Sequence, residues 1–199
     1  MALYEAYISE LDDIYARTES VFKETVMPTG VESCGDDHVF YNPSHSAKDE
    51  KYHELVGMLT TPFAYERVRE FVSEICCLVS RPGSEKIEGP GIPENTIVLK
   101  LPIKGPGGNS LVQHSILRRY NEENRLVVVW RKFTEGEGIF AGMHSDETGW
   151  CIVRSSPSCE DGSPGTVLES VIRFVPINFS AAAACGPLLK QFTDDHQGG

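Results

Sequence analysis

The sequence has little positive charge and no long hydrophobic run. Eighteen lysine and arginine residues stand against 29 aspartate and glutamate residues, which gives a formal net charge of -11. A nucleic-acid-binding protein needs a concentrated basic surface, so this balance argues against a nucleic-acid partner. No apolar run approaches the roughly 20 residues that cross a bilayer. The N-terminal stretch MALYEAYISELDD carries acids where a signal peptide is basic and then apolar. These absences predict a cytoplasmic protein without stable membrane insertion.

Signatures of metal binding, disulfides and catalysis are missing as well. The 6 cysteines show no CxxC spacing, so we expect free thiols, no metal and no cofactor. The turn GPGGNS lacks the lysine of a phosphate-binding loop, and no GxSxG nucleophile elbow occurs. We therefore expect no catalytic residue and no enzyme. The alternative that stays open is an enzyme that uses His114 or His144 as a general base in a hydrophobic pocket.

The beginning of the chain carries a helical pattern. Residues 3 to 24 repeat apolar groups at helical spacing, and Tyr7, Leu11 and Ile14 lie on one stripe with acids opposite. This pattern predicts an amphipathic helix that packs on the rest of the domain. Residues 64 to 79 and residues 178 to 193 are also predicted to be helical.

After residue 95 the hydrophobic period changes to two. The segments TIVLKLPI, LVQHSILRRY, RLVVVWRKF, GWCIVRSS and TVLESVIRFVPI alternate in this way and are joined by short turns. Strands at this spacing are typical of an antiparallel meander. The glycine-rich stretch TEGEGIFAGMHSDET, residues 134 to 148, is predicted to be a loop between two of the strands.

The segment RLVVVWRKF is apolar on both faces. A strand of this kind is covered on both sides or places one face in a partner. Val127, Val129 and Arg131 share one of the faces, and a buried arginine needs an acidic partner, for which Glu169 is a candidate. Arg131 has three open interpretations: it extends to water, forms a structural ion pair, or anchors the polar group of a ligand.

The last strand separates its two faces most clearly. Leu168, Ser170, Ile172 and Phe174 share one face, whereas the opposite face carries charged residues. The apolar face is therefore predicted to line the interior, which is either a solid core or a cavity.

The order of the elements and four stretches of the chain resemble the START domain. The stretches are YISELDDIYARTESVF, KYHELVGMLTTPFAYERVREFV, ILRRYNEENRLVVVWRKFTEGEG and MHSDETGWCIVRSS. START domains are the lipid-binding members of the helix-grip, or Bet v 1-like, superfamily. The likeness is greatest to a START-like family of oomycete proteins, some of which are called mating-specific.

The resemblance implies an α+β, helix-grip (START-like) fold, in which a curved antiparallel β-sheet is wrapped around a long C-terminal helix. An N-terminal amphipathic helix, residues 1–30, would pack on a START-like domain, residues 31–199. The loop that contains MHSDETGW would border the mouth of a cavity.

The function that the resemblance implies is non-enzymatic binding of a lipid or other hydrophobic small molecule in this cavity, for transfer or sensing. We expect the cavity to be lined by Ile97, Leu99, Leu101, Val128, Trp130, Arg131, Leu168, Ser170, Ile172, Phe174 and Leu188. The alternative is a protein-interaction or regulatory module with a vestigial cavity. In that case Val127 and Val129 would form a homodimer or partner surface.

Overall fold

A computed structural model describes residues 2–25, 37–47, 50–75, 83–104, 110–156 and 165–177. Within these ranges the α-helices are α1 (Ala2–Ala16), α2 (Thr18–Glu24) and α3 (Tyr65–Ile75). The strands are β1 (Asp37–Ala47), β2 (Glu50–Thr61), β3 (Glu85–Ile87), β4 (Thr96–Lys104), β5 (Ser110–Asn121), β6 (Arg125–Glu137), β7 (His144–Ser156) and β8 (Gly165–Ile177). A 3₁₀ helix at Gly138–Phe140 connects β6 to β7.

The described strands form one antiparallel sheet in the order β1-β2-β8-β7-β6-β5-β4-β3. The chain runs as a meander from β3 to β8, and β8 then pairs with β2 from the first half of the chain. The meander that the period of two predicts is therefore present. β6 lies in the interior of the sheet, where Leu126 and Val127 point to opposite faces and are both fully buried.

The sheet has two faces, which we call the α1 side and the α3 side after the helix that packs on each. On the α1 side the helix lies over β5 and β6, and on the α3 side it lies over β7 and β8. The α1-side core contains Tyr7, Leu11, Ile14, Val21, Val98, Ile116, Val127, Val129, Trp150, Ile152 and Val171. The α3-side core contains Tyr65, Val68, Leu126, Val128 and Val153. Each helix thus buries its apolar stripe against one face of the pleated sheet.

The helix-grip arrangement predicted from the sequence is wrong. The described chain is mostly antiparallel sheet with three short α-helices, and it is not a sheet wrapped around a long C-terminal helix. The helices that cover the described sheet, α1 and α3, both lie before β3 in the sequence. The physical reason is that the apolar stripe of α1 packs on the centre of one face of the sheet. The prediction had placed the C-terminal helix, residues 178 to 193, in this position. The predicted helix at residues 178 to 193, with Leu188, lies outside the described residues.

Two element boundaries also differ from the sequence prediction. The helix predicted over residues 3 to 24 is divided at Arg17 into α1 and α2. The loop predicted over residues 134 to 148 is largely strand, because β6 continues to Glu137 and β7 begins at His144. The connection can be short because Gly138 and Gly142 adopt positive φ angles of 62° and 87°, which place a tight turn between the strands.

The structure bears on the membrane expectation and on one of the cysteines. No helix in the described ranges combines the length and the apolar character that a membrane span requires. Cys151 lies on β7, partly buried beside the α3-side core. The remaining cysteines lie outside the described residues.

Candidate functional site

The α1 side uses charged side chains to hold the N-terminal helix. Arg118 donates hydrogen bonds to Thr96 Oγ1 at 2.8 Å, to Asp12 Oδ1 at 2.8 Å and to the Ile8 carbonyl at 3.2 Å. Tyr120 also donates to Asp12 Oδ1, at 2.6 Å. The hydrogen bonds from Tyr120 and then from Arg118 lower the pKa of the Asp12 carboxyl. These contacts assign Arg118 and Tyr120 to the attachment of α1.

Arg131 belongs to the same side, and its partner is Asp146 instead of the predicted Glu169. The guanidinium donates to Asp146 Oδ2 at 2.7 Å and to Thr148 Oγ1 at 2.6 Å, and it lies 4.5 Å from the centre of the Tyr7 ring. Burial raises the pKa of the Asp146 carboxyl, and the charge of Arg131 opposes this effect. Arg131 thus forms a structural ion pair and lies on the face opposite the other predicted cavity residues that the structure describes.

The two histidines considered as general bases also lie on the α1 side. His114 Nδ1 is 2.7 Å from the hydroxyl of Tyr4, and His114 Nε2 is 3.3 Å from Glu135 Oε2. The ring of His144 stacks on Phe133 with the ring centres 5.5 Å apart. The sheet therefore separates both histidines from the surface that carries the predicted cavity residues.

The α3 side brings together the other predicted cavity residues that the structure describes. Strand pairing places Ile97, Trp130 and Ile172 in one row across the sheet, with Leu117 and Gly149 between them. The other members of the predicted set on this side are Leu99, Leu101, Val128, Leu168, Ser170 and Phe174. Although Trp130 and Ile172 lie on interior strands of the sheet, both are only partly buried. Apolar surface thus remains accessible in the middle of this face.

The neighbouring row on the α3 side is polar at its centre. Ser115 on β5, Lys132 on β6 and Glu147 on β7 stand directly opposite one another. Lys132 Nζ donates to Glu147 Oε1 at 2.9 Å, and Trp130 Nε1 donates to the same oxygen at 2.6 Å. The side chain of Glu147 is only 5% exposed, so these donors compensate a buried charge. We call Ser115, Trp130, Lys132, Ser145 and Glu147 the polar cluster.

Two hydroxyl groups of the polar cluster are buried without a partner. Within the part of the chain that the structure describes, Ser115 Oγ and Ser145 Oγ make no hydrogen bond. Ser115 is 4% exposed and Ser145 is 2% exposed, so bulk solvent does not satisfy them. A buried hydroxyl left without a partner costs about 1–3 kcal/mol. Groups of this kind are usually satisfied by protein, by ordered water or by a ligand.

Gly149 explains how the indole of Trp130 reaches Glu147. Gly149 stands directly opposite Trp130, and a Cβ atom built at Gly149 would collide with the indole ring. The ring therefore lies flat on the sheet over the glycine, an arrangement that covers bare backbone with an aromatic side chain. Any larger residue at position 149 would push the indole away from the carboxylate.

The sequence prediction missed Ser115, Lys132, Ser145 and Glu147 as site residues. Ser145 and Glu147 were assigned to a loop because the glycines within the stretch of residues 134 to 148 suggested turns. The signal that could have found them is the period of two, because counting backward from Cys151 through Gly149 places both on the face of Cys151.

Comparisons with known proteins identify no family for this chain. No family model matches it, and neither does any curated protein. The similar solved structures include an uncharacterized protein from Rhizobium leguminosarum, with 11% identity over 80% of this chain and 94% of that chain and a TM-score of 0.37. They also include a protein from Rhizobium loti, with 17% identity over 72% of this chain and 96% of that chain and a TM-score of 0.36. At these TM-scores neither likeness supports an assignment of fold or function.

Proposed function

We propose that the protein binds a hydrophobic or amphipathic small molecule on the α3 side of its sheet and carries out no chemistry on it. The observation that carries this proposal is the pair of buried hydroxyls without partners, Ser115 Oγ and Ser145 Oγ, on a face that is otherwise largely apolar. A bound molecule with a polar end would satisfy groups that the described protein leaves without hydrogen bonds.

The apolar part of this side is the source of affinity. Trp130, Leu168 and Ile172 keep part of their surface accessible, and removing apolar surface from water contributes about 25 cal/mol per Å². Small-molecule sites combine such surface with a few polar groups that fix the orientation of the ligand. The polar cluster lies beside the row of Trp130 and Ile172 and has this composition.

The hydrogen bonds of the cluster favour binding over catalysis. Glu147 Oε1 already accepts from both Lys132 and Trp130, whereas a general base must accept a proton from the substrate. A serine nucleophile needs a base within hydrogen-bonding distance. Within the described residues, Ser115 Oγ and Ser145 Oγ are bonded to no base.

The test is a titration with a pyrene-labelled long-chain alcohol, followed by fluorescence. We expect saturable binding to the wild type and a loss of affinity in Ile172→Phe, because the larger ring occupies accessible surface beside Trp130. The matched control is Arg154→Gln on the α1 side, where a side chain that is 43% exposed should not affect binding. Absence of saturable binding to the wild type, or equal losses in both variants, contradicts the proposal.

A further inference from the structure

The polar cluster contains one cation and one anion, and the two are bonded to each other. Lys132 Nζ lies 2.9 Å from Glu147 Oε1, and the neutral indole of Trp130 donates to the same oxygen. The remaining members, Ser115 and Ser145, are neutral. The cluster therefore offers a ligand two hydroxyl groups and no net charge.

Two other cations on the α3 side lie outside the polar cluster. Arg119 lies four residues from Ser115 along β5, which corresponds to about 13 Å, and its Nε is buried without a hydrogen-bond partner in the described residues. Lys86 stands in the same row as Ser115, with Leu99 of β4 between them, and it is exposed and forms an ion pair with Glu88 at 2.9 Å. Arg119 is therefore the cation for which the experiment needs a control.

The charge of a ligand would decide whether this site tolerates it. Each serine hydroxyl both donates and accepts, so it can bond to a hydroxyl, a carbonyl or an amide. A carboxylate or phosphate would place a second negative charge beside Glu147, and an ammonium would place a second positive charge beside Lys132. A buried charge without a counter-ion is far less favourable than a buried neutral polar group that is hydrogen-bonded.

We infer that the ligand of this site is an amphipathic molecule whose polar end is uncharged, of the hydroxyl, ester or amide type. The inference rests on the proposed function and specifies the ligand class of the same site. Ser115 and Ser145 lie on β5 and β7 with β6 between them and are offset by two residues along the strands, which puts them roughly 12 Å apart. A polar end with several hydrogen-bonding groups therefore suits the cluster better than a single hydroxyl.

The experiment compares three molecules that have hydrocarbon chains of the same carbon number and differ in the charge of the polar end. Monooleoylglycerol, oleate and oleylamine each compete with the pyrene-labelled alcohol for the wild type near neutral pH, below their aggregation concentrations. We expect monooleoylglycerol to bind at least about tenfold more tightly than either charged molecule, a difference of about 1.4 kcal/mol.

Two charge variants test whether the cluster sets this preference. Glu147→Gln leaves Lys132 as the surviving ion, so the preference should move toward oleate. Lys132→Met leaves Glu147 as the surviving ion, so the preference should move toward oleylamine. The double variant is neutral again and should prefer monooleoylglycerol, and it remains informative if either single variant fails to fold. Arg119→Gln is the control and should leave the order of affinities unchanged.

The outcomes separate this inference from the proposed function. Tighter binding of oleate or oleylamine to the wild type overturns the inference and leaves the proposed function standing. A preference for oleate that disappears in Arg119→Gln also overturns it, because Arg119 would then hold the polar end. Failure of the wild type to bind the alcohol and all three competitors overturns the proposed function itself. An unchanged affinity for monooleoylglycerol in both Ser115→Ala and Ser145→Ala overturns the inference as well.

Discussion

On the α1 side of the sheet, Arg118, Arg125 and Arg131 each bond to an acid, whereas on the α3 side Ser115 and Ser145 bond to nothing in the described chain. The arginines lie among valines and look more conspicuous in the sequence than the serines do. Their hydrogen bonds are nevertheless explained by the attachment of α1 and α2 and by strand-to-strand ion pairs. The charges of these arginines therefore do not mark a ligand site. A missing hydrogen bond alone does not distinguish the two sides, because Arg131 Nε, His144 Nδ1 and Asp146 Oδ1 on the α1 side are also buried without one in the described residues.

The largest difference in stability between variants of the two sides should appear when the two tryptophans are each replaced by alanine. Trp150 is buried under α1, and its Nε1 donates to the Ile14 carbonyl at 2.9 Å, whereas Trp130 is partly exposed on the α3 side. Trp150→Ala should lower the free energy of unfolding by about 3–5 kcal/mol, because it leaves a cavity in the core. Trp130→Ala should lower it less, since part of the ring is already in contact with water. Urea denaturation of the two variants measures both values, and a larger loss in Trp130→Ala would contradict the comparison.

A smaller difference in stability is expected between variants of Arg118 and Arg119, which are neighbours in the sequence and point to opposite sides of the sheet. Arg118→Met removes hydrogen bonds to Thr96 and to the Ile8 carbonyl and should lower the free energy of unfolding by about 1–3 kcal/mol. The lost ion pair adds little, because the side chain of Asp12 is 72% exposed and can be solvated by water. Amide exchange over Ala2–Ala16 should become faster at the same time.

Arg119→Met is the matched control for this prediction. It removes an adjacent charge from the α3 side, where no ion pair of Arg119 occurs within the described residues. Exchange in α1 should therefore stay at the wild-type rate. Equal acceleration in both variants would show that α1 is not held by the contacts of Arg118.

The sequence predicted which residues share a face better than it predicted what covers each face. The period of two placed Leu168, Ile172 and Phe174 together because the pleat of a strand imposes that period wherever the strand lies. The covering helix could not be derived in the same way, because an amphipathic stripe shows that a helix is buried but not against which face. β6 does not resolve this ambiguity, because a strand that is apolar on both faces can be covered by a helix on either face.

The missed part of the site has a local physical cause. Ser145 and Glu147 follow Gly136, Gly138 and Gly142, and glycine is normally a signal of a turn. The predicted strand therefore began only at Gly149, whereas β7 begins at His144 and Gly149 lies inside it, covered by the ring of Trp130. Arg131 was placed among the cavity residues for a related reason. Its ion pair with Asp146 depends on the register of β6 and β7, which the predicted loop concealed.

Two hydroxyl deletions should have different effects on the free energy of unfolding. Thr96 Oγ1 accepts a hydrogen bond from buried Arg118, so Thr96→Val should lower the free energy of unfolding by about 1 kcal/mol. Ser145 Oγ has no partner in the described residues, so Ser145→Ala should leave the stability of the ligand-free protein unchanged or slightly raised. The same variant should bind monooleoylglycerol more weakly. Thermal unfolding of the ligand-free proteins checks the first two results, and a destabilised Ser145→Ala would show that its hydroxyl is structural.

The smallest effect expected is that the contribution of the α1 contacts to stability decreases at acidic pH. Hydrogen bonds from Tyr120 and Arg118 lower the pKa of Asp12 in the folded state, so its contribution to stability is present above the unfolded pKa and lost as the pH falls through the folded pKa. The urea midpoint of the wild type should therefore exceed that of Asp12→Asn near neutral pH, and the gap should close below about pH 4. Burial raises the pKa of Tyr120 to about 12, so Tyr120 keeps its proton and remains a donor throughout this range.

Tyr120→Phe sharpens this last test. Removing the hydroxyl takes away the first cause of the lowered pKa of Asp12. In the Tyr120→Phe protein, the further change Asp12→Asn should therefore lower the urea midpoint by a smaller amount. This smaller difference should also disappear at a higher pH. Asp146 behaves with the opposite sign: burial raises its folded-state pKa, so its ionisation disfavours folding as the pH rises through that pKa. Protonation in acid therefore removes the unfavourable buried charge of Asp146, whereas it weakens the hydrogen bonds of Asp12. A gap between wild type and Asp12→Asn that persisted at the lowest pH would place the acid response of α1 elsewhere than in the Asp12 carboxylate.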